Sequence, residues 1–185
     1  MMKAMMVTVG LALGACALAS PADDYWANLE ALCGQAFEGR LVGAPDDDMA
    51  GERLVMHVRD CTPERIRIPF AVGDNLSRTW VLTRHDDRIE LRHDHRHPDG
   101  SPEDVTLYGG RSPNRGSAQM QIFPADDQTL DTLPDNVPNV WLMEIEPGER
   151  FTYYVRRLAT ERYYHFEFDL TETVDAPPAP WGWQD

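Results

Sequence analysis

The chain has 185 residues, 42% of them hydrophobic, and carries 31 acidic against 17 basic side chains, a formal net charge of −14. That length suits one domain with a real core. That acidity argues against nucleic-acid phosphates and anionic lipid surfaces as electrostatic partners.

Residues 1–19 read as a targeting segment. Met1-Met2-Lys3 is a short basic start, and the apolar run Ala4 to Leu13 is too short to span a bilayer stably. Two cleavage readings stand. Leu13-Gly14-Ala15-Cys16 resembles a bacterial lipobox, which would place a lipid on Cys16 and is the favoured reading. Ala17-Leu18-Ala19 resembles an A-x-A signal-peptidase site, which would release a soluble protein from Ser20. Both export the protein: to the periplasm or outer membrane as a lipoprotein, otherwise as a secreted form. No later stretch is apolar for long enough to span, so the only membrane contact expected is a lipid on Cys16. Export leaves Cys33 and Cys61, and two cysteines in an oxidising compartment most simply pair.

After an acidic spacer, Ser20 to Asp24, the spacing of Trp26, Leu29, Leu32 and Cys33 predicts a short helix over Tyr25–Cys33, stopped at Gly34. From Phe37 the hydrophobic period changes to two. Strands are predicted over Ala36–Val42, Arg53–Arg59, Arg65–Val72, Thr79–Arg84, Ile89–His97, Val105–Tyr108, Ala118–Phe123, Val140–Ile145, Phe151–Leu158 and Tyr163–Leu170. Turn residues such as Gly73-Asp74-Asn75, Asp86-Asp87 and Glu146-Pro147-Gly148 separate them. The fold class expected is therefore all-β: an antiparallel up-and-down meander of about ten strands. Left open, it would expose two adhesive edges, so it should close into a barrel. That domain covers residues 20–174. The polar connection Pro124 to Asn139 reads as a lid or a short helix. Residues 175–185 form a Pro-rich tail with Trp181 and Trp183, expected to pack back on the barrel or to engage a protein partner.

The run Arg88 to Gly100 carries the most chemistry. On a strand one face reads Ile89, Leu91, His93, His95, His97 and the other Glu90, Arg92, Asp94, Arg96. The charged face should meet water, which sends the three histidines inward. A two-residue turn at Asp86-Asp87 would set Trp80 opposite His93 and add Trp80, Leu82 and Arg84 to the same face; a one-residue slip would reverse this. A pocket lined by Trp80, Leu82, His93, His95, His97 and Tyr108 is expected, holding a small-molecule ligand. Histidines at i and i+2 lie about 6.5–7 Å apart, so His93 and His95 could share a zinc or iron ion with one further ligand from Asp99, Glu103, Asp104 or Tyr108. A hydrogen-bonded polar lining is the competing reading of the same residues.

The sequence lacks a G-x-S-x-G elbow, an H-E-x-x-H pair and a Gly-rich phosphate loop leading into a helix. Binding is therefore favoured over catalysis. The alternatives are a metal- or His-dependent enzyme acting on an envelope metabolite, and a structural envelope protein that engages a partner through its tail.

The N-terminal helix with Leu29-Glu30-Ala31-Leu32-x-Gly34 ahead of the first strand resembles the lipocalin-like (calycin) barrels. The group's Gly-x-Trp is replaced by Gly34-Gln35-Ala36-Phe37. That resemblance implies a ligand pocket inside the barrel. Its haem-binding members would point to His165, which alternation sends outward. Trp80 to Arg84, Leu91 to Ser101, Tyr108-Gly109-Gly110 and Ala179-Pro180-Trp181-Gly182 are together similar to a family of uncharacterised secreted bacterial proteins, a likeness that implies no activity.

Overall fold

A computed structural model describes residues 19–43, 49–133 and 139–183. The targeting segment with Cys16, the run Asp46-Asp47-Asp48 and residues 134–138 lie outside the described residues. No helix among the described residues is long and apolar enough to cross a membrane.

The N-terminal helix α1 spans Pro21–Glu30, four residues earlier than its apolar spacing suggests. Ser20 is its N-cap: its hydroxyl accepts from the Asp23 N–H, and the Asp23 carboxylate accepts from the Ser20 N–H. The residues read as an acidic spacer are thus a capping box, with Pro21 at the first helical position, where a missing N–H costs nothing. Tyr25, Trp26 and Leu29 bury one face of α1 in the barrel's end.

Eleven strands follow: β1 (Ala36–Gly43), β2 (Leu54–His57), β3 (Asp60–Cys61), β4 (Arg65–Val72), β5 (Asn75–His85), β6 (Arg88–His95), β7 (Tyr108–Arg111), β8 (Met120–Pro124), β9 (Asn139–Glu146), β10 (Arg150–Arg157) and β11 (Tyr163–Asp169). They form one antiparallel sheet in the order β7-β6-β5-β4-β2-β1-β11-β10-β9-β8, with β3 paired to β4. This is the expected all-β, nearly closed barrel. Several strand predictions need correction: β5 begins at Asn75, four residues before Thr79, and the two-residue β3 was not among the strands predicted. The sixth strand ends at His95, not His97, and the segment read as Val105–Tyr108 joins the ladder only from Tyr108 onward.

The two end strands, β7 and β8, meet at a seam without a full ladder. The expected short helix in the Pro124 to Asn139 connection is α2 (Asp127–Thr132), and its buried Thr129 closes the seam. The Thr129 hydroxyl accepts from the Gly109 N–H and donates to the Gly109 carbonyl, both at 2.7 Å. A Cβ on Gly110 would stand 1.8 Å from the Pro124 carbonyl oxygen, so only glycine allows this approach.

Along its axis the barrel has two different halves. Around α1 it is solid: Leu82, Ile66, Ile89, Leu91, Ile145, Phe151 and Phe168 are fully buried and form one core with Tyr25, Trp26 and Leu29. Burial of each such side chain is worth about 1.5–3 kcal/mol. Arg84, at the same end, pairs with Asp23 of α1. The Cys33–Cys61 disulfide, predicted above, ties the segment after α1 to β3, with Cα atoms 6.3 Å apart. The tail folds back on the barrel. Trp183 lies under the guanidinium of Arg67, 4.8 Å from its ring centre, and Gly182 packs on Gly100.

Candidate ligand-binding cavity

The β5–β6 hairpin sets the site. Its register pairs His85 with Arg88, Trp80 with His93 and Arg78 with His95, as the two-residue turn at Asp86-Asp87 requires. Inward positions on β6 therefore run Ile89, Leu91, His93, His95 from the solid end outward. On β5 they run Leu82, Trp80, Arg78. Ile89, Leu91 and Leu82 belong to the core, and the next two residues on each strand face a cavity of about 520 Å³.

That cavity is the hollow half of the barrel. Trp80, His93, Trp141 and Tyr153 line its inner part, and Phe70, Tyr108, Tyr164 and Phe166 line its walls. Towards the mouth stand Arg78, Glu103, Arg157 and Arg162, with Met49, Val105, Leu133, Asn139 and Val155 between them. Of the expected lining residues, Trp80, His93, His95 and Tyr108 are brought together. Leu82 is not among them: it is fully buried one layer deeper, in the core. Nor is His97, which is exposed in the turn beyond the strand's end. Parity gave the correct face, but position along the axis decides what that face meets.

His93 is held on both ring nitrogens. Nδ1 lies 3.0 Å from the Tyr108 carbonyl oxygen, and Nε2 lies 2.7 Å from the Tyr153 hydroxyl. A carbonyl only accepts, so Nδ1 carries the proton and Nε2 accepts from Tyr153. Burial pushes the His93 pKa down to about 3, so the ring is neutral. Burial likewise raises the Tyr153 hydroxyl well above the ordinary range, keeping it a donor. The His93 ring stacks on Tyr108 at 4.6 Å between centres, and Trp80 stacks on Tyr153 at 4.5 Å.

His95 lies nearer the mouth. Its Nε2 is 3.0 Å from the Tyr108 hydroxyl, and its Nδ1 is 3.7 Å from the Glu103 carboxylate. Burial, and then the nearby Arg78 charge, lower its pKa. Burial pushes the Tyr108 hydroxyl up to about 12. Glu103 arrives because the loop after β6 runs back beside it: the Glu103 N–H donates to the His95 carbonyl and the Leu107 N–H to the His93 carbonyl. Leu107 takes a left-handed conformation, φ 55°, immediately before Tyr108.

The pairing of His93 with a metal partner is not what this geometry provides. The lone pair that would bind zinc or iron already accepts the Tyr153 hydrogen bond. Among the described residues no group of three or more His, Cys, Asp or Glu side chains is placed to hold a metal ion. The polar, hydrogen-bonded lining is the arrangement found.

Compared with protein-family models, curated proteins and solved structures, the chain matches none.

Outside the barrel the charged face of β6 is less bare than expected. Arg92 is well covered, with ion pairs to Glu90 and to Asp126, the N-cap of α2. Asp94 is buried beneath Arg96. The charges face outward, as alternation requires, but cover one another. His165 also faces outward, 3.5 Å from Glu167, while its neighbours Tyr164 and Phe166 line the cavity. The sequence reading missed Arg78, Glu103, Trp141 and Tyr153 as lining residues. Trp141 shares the buried face of β9 with Met143 and Ile145, and Arg78 lies two residues before Trp80 on the inward face of β5. Extending the same parity one step on each strand reaches both positions.

Proposed function

We propose that this is an exported binding protein that holds one small molecule in the hollow half of its barrel. The observation that carries this reading is the cavity of about 520 Å³, within the roughly 300–1,000 Å³ usual for small-molecule sites. Its lining combines aromatic walls with oriented polar and charged groups, the kind that fixes a ligand's orientation. The layer of His93, Tyr153 and Trp80 forms a rigid floor, because each polar atom on His93 already has its partner. Export is supported by the targeting segment and by the Cys33–Cys61 disulfide, which is compatible with an oxidising compartment. A lipid on Cys16 would hold the protein at the outer membrane. Native mass spectrometry of protein purified from its own cell envelope tests this: a stoichiometric adduct of small-molecule mass is expected. A bare polypeptide that also takes up nothing from a total envelope extract would refute it.

A second reading, a His-dependent enzyme, is favoured by the row Glu103, His95, Tyr108. A carboxylate, an imidazole and a phenol in sequence can relay a proton to a bound substrate. Here the Tyr108 hydroxyl is held protonated and lies 3.0 Å from His95 Nε2, so before a substrate binds its proton is engaged with the imidazole. Loss of a turnover in envelope extract on His95→Ala, with folding and ligand uptake preserved, would establish the enzyme reading instead. The tail offers no comparable support for partner docking, since Trp183 already faces Arg67 and Arg59 on the barrel.

A further inference from the structure

The cavity's charge is opposite to that of the protein around it. The chain is strongly acidic, yet among the described residues the cavity lining includes the guanidinium groups of Arg78, Arg157 and Arg162 and one carboxylate, Glu103. The nearby histidines do not add to this charge: burial lowers the pKa of both. Elsewhere many arginines have a carboxylate beside them, as Arg84 has Asp23, Arg92 has Glu90 and Asp126, and Arg150 has Glu146. Arg78 differs. It sits on the inward face of β5 opposite His95, and among the described residues no carboxylate lies within ion-pair distance of it. Its one described side-chain contact is the Ser77 hydroxyl at 3.5 Å. This half-buried guanidinium therefore offers N–H donors to an anion that enters the cavity, where a charge-assisted hydrogen bond is stronger than one between neutral groups.

We infer that the cavity selects a planar aromatic monoanion, a ring system carrying one carboxylate or equivalent group, with the anion on Arg78 and the ring against Trp80 and Trp141. This inference rests on the reading of the cavity as a ligand site and narrows it to a chemical class. The anion is indicated by Arg78, which lines the cavity with no carboxylate among the described residues at ion-pair distance. His95, opposite Arg78 in the β5–β6 register, and the Tyr108 hydroxyl bonded to it form a polar wall beside that cation. The ring is indicated by the walls: Phe70, Trp80, Tyr108, Trp141, Tyr153, Tyr164 and Phe166 all contribute aromatic surface, which favours offset or edge contacts with another ring over a flexible chain. The overall negative charge does not prevent this. At physiological salt its long-range field is screened beyond about 8 Å, while the contact with Arg78 is direct.

The test uses two fluorescent probes with the same rings: neutral N-phenylnaphthylamine and its anionic counterpart, anilinonaphthalene sulfonate. Wild-type protein should bind one equivalent of each, the sulfonate about tenfold or more tightly. Added salt should weaken only the sulfonate. Arg78→Gln should remove that preference while the neutral probe keeps its affinity within about twofold, and Arg78→Lys should restore part of it. Should Arg78→Gln fail to fold, the salt dependence of the two probes on wild type, with Arg78→Lys, decides the same question: only the sulfonate should weaken with salt. Equal affinity for both probes, unmoved by Arg78→Gln or by salt, would overturn this inference and leave the ligand site standing. Failure of both probes to bind would overturn the ligand site itself, and this inference with it.

Discussion

The Tyr153 hydroxyl lies 2.7 Å from Nε2 of His93, at the level where the barrel passes from packed to hollow. Both groups are buried, so neither has water to fall back on. Tyr153→Phe keeps the ring and removes the one hydrogen-bond donor to Nε2 among the described residues. It should cost about 1–3 kcal/mol in urea unfolding, the penalty of an orphaned buried acceptor. Adding His93→Phe should recover part of that loss, because the unpaired nitrogen is then gone as well. Additive losses from the two substitutions would mean that the pair is not coupled.

His93 also sets a pH dependence. Its folded pKa of about 3 lies below the ordinary histidine value near 6.5. The unfolded chain therefore binds more protons in between. The stabilisation is complete above about pH 6.5 and is lost as pH falls towards the folded value, at up to about 1.4 kcal/mol per pH unit. His95, shifted in the same direction, adds to the slope. Denaturant midpoints between pH 7 and pH 5, above the range where carboxylates titrate, should fall in wild type and fall less steeply in His93→Gln. Parallel slopes would contradict a neutral, buried His93.

The hydrophobic period of two located nearly every strand, and the turn at Asp86-Asp87 fixed the pairing of Trp80 with His93. Periodicity could not say how far along the axis the core extends. Leu82 and His97 were therefore assigned to a pocket from which one is too deep and the other too far out. That boundary depends on α1 entering one end of the barrel and on the loop after β6 folding back. Both are long-range events with no local signature. Glu103 was visible only as one of several acidic residues near the histidines; the loop's hydrogen bonds to β6 single it out. The capping box at Ser20 carries Asp23 where the usual signature has Glu or Gln, so its sequence signal is weak.

The disulfide closes a loop with a sequence separation of 28 residues. Replacing Cys33 and Cys61 together by alanine should lower stability by about 3–4 kcal/mol, mainly by freeing the unfolded chain. Equilibrium unfolding of the double variant beside oxidised wild type measures this. A loss below about 1 kcal/mol would mean that the closure of α1 does not depend on the bridge.

The seam between β7 and β8 relies on close backbone contact at Gly110 and on the two hydrogen bonds of Thr129. Gly110→Ala should destabilise by about 2–4 kcal/mol, because the methyl group would meet a carbonyl oxygen rather than a movable side chain. Thr129→Val, similar in shape but without a hydroxyl, should cost about 1–3 kcal/mol. Both should speed amide exchange of Gly109 before that of the core strands. Unchanged exchange at Gly109 would show that the seam is held by other means.

The central claim is that half of this barrel is hollow and takes up a small molecule. The most direct measurement is a titration with N-phenylnaphthylamine of protein refolded from guanidinium, in wild type and in Val155→Trp, a substitution on the cavity wall. The account predicts saturable binding of one equivalent to wild type, and its loss in Val155→Trp with unfolding midpoint and circular dichroism unchanged. Binding that Val155→Trp leaves intact, or no saturable binding to well-folded wild type, would contradict it.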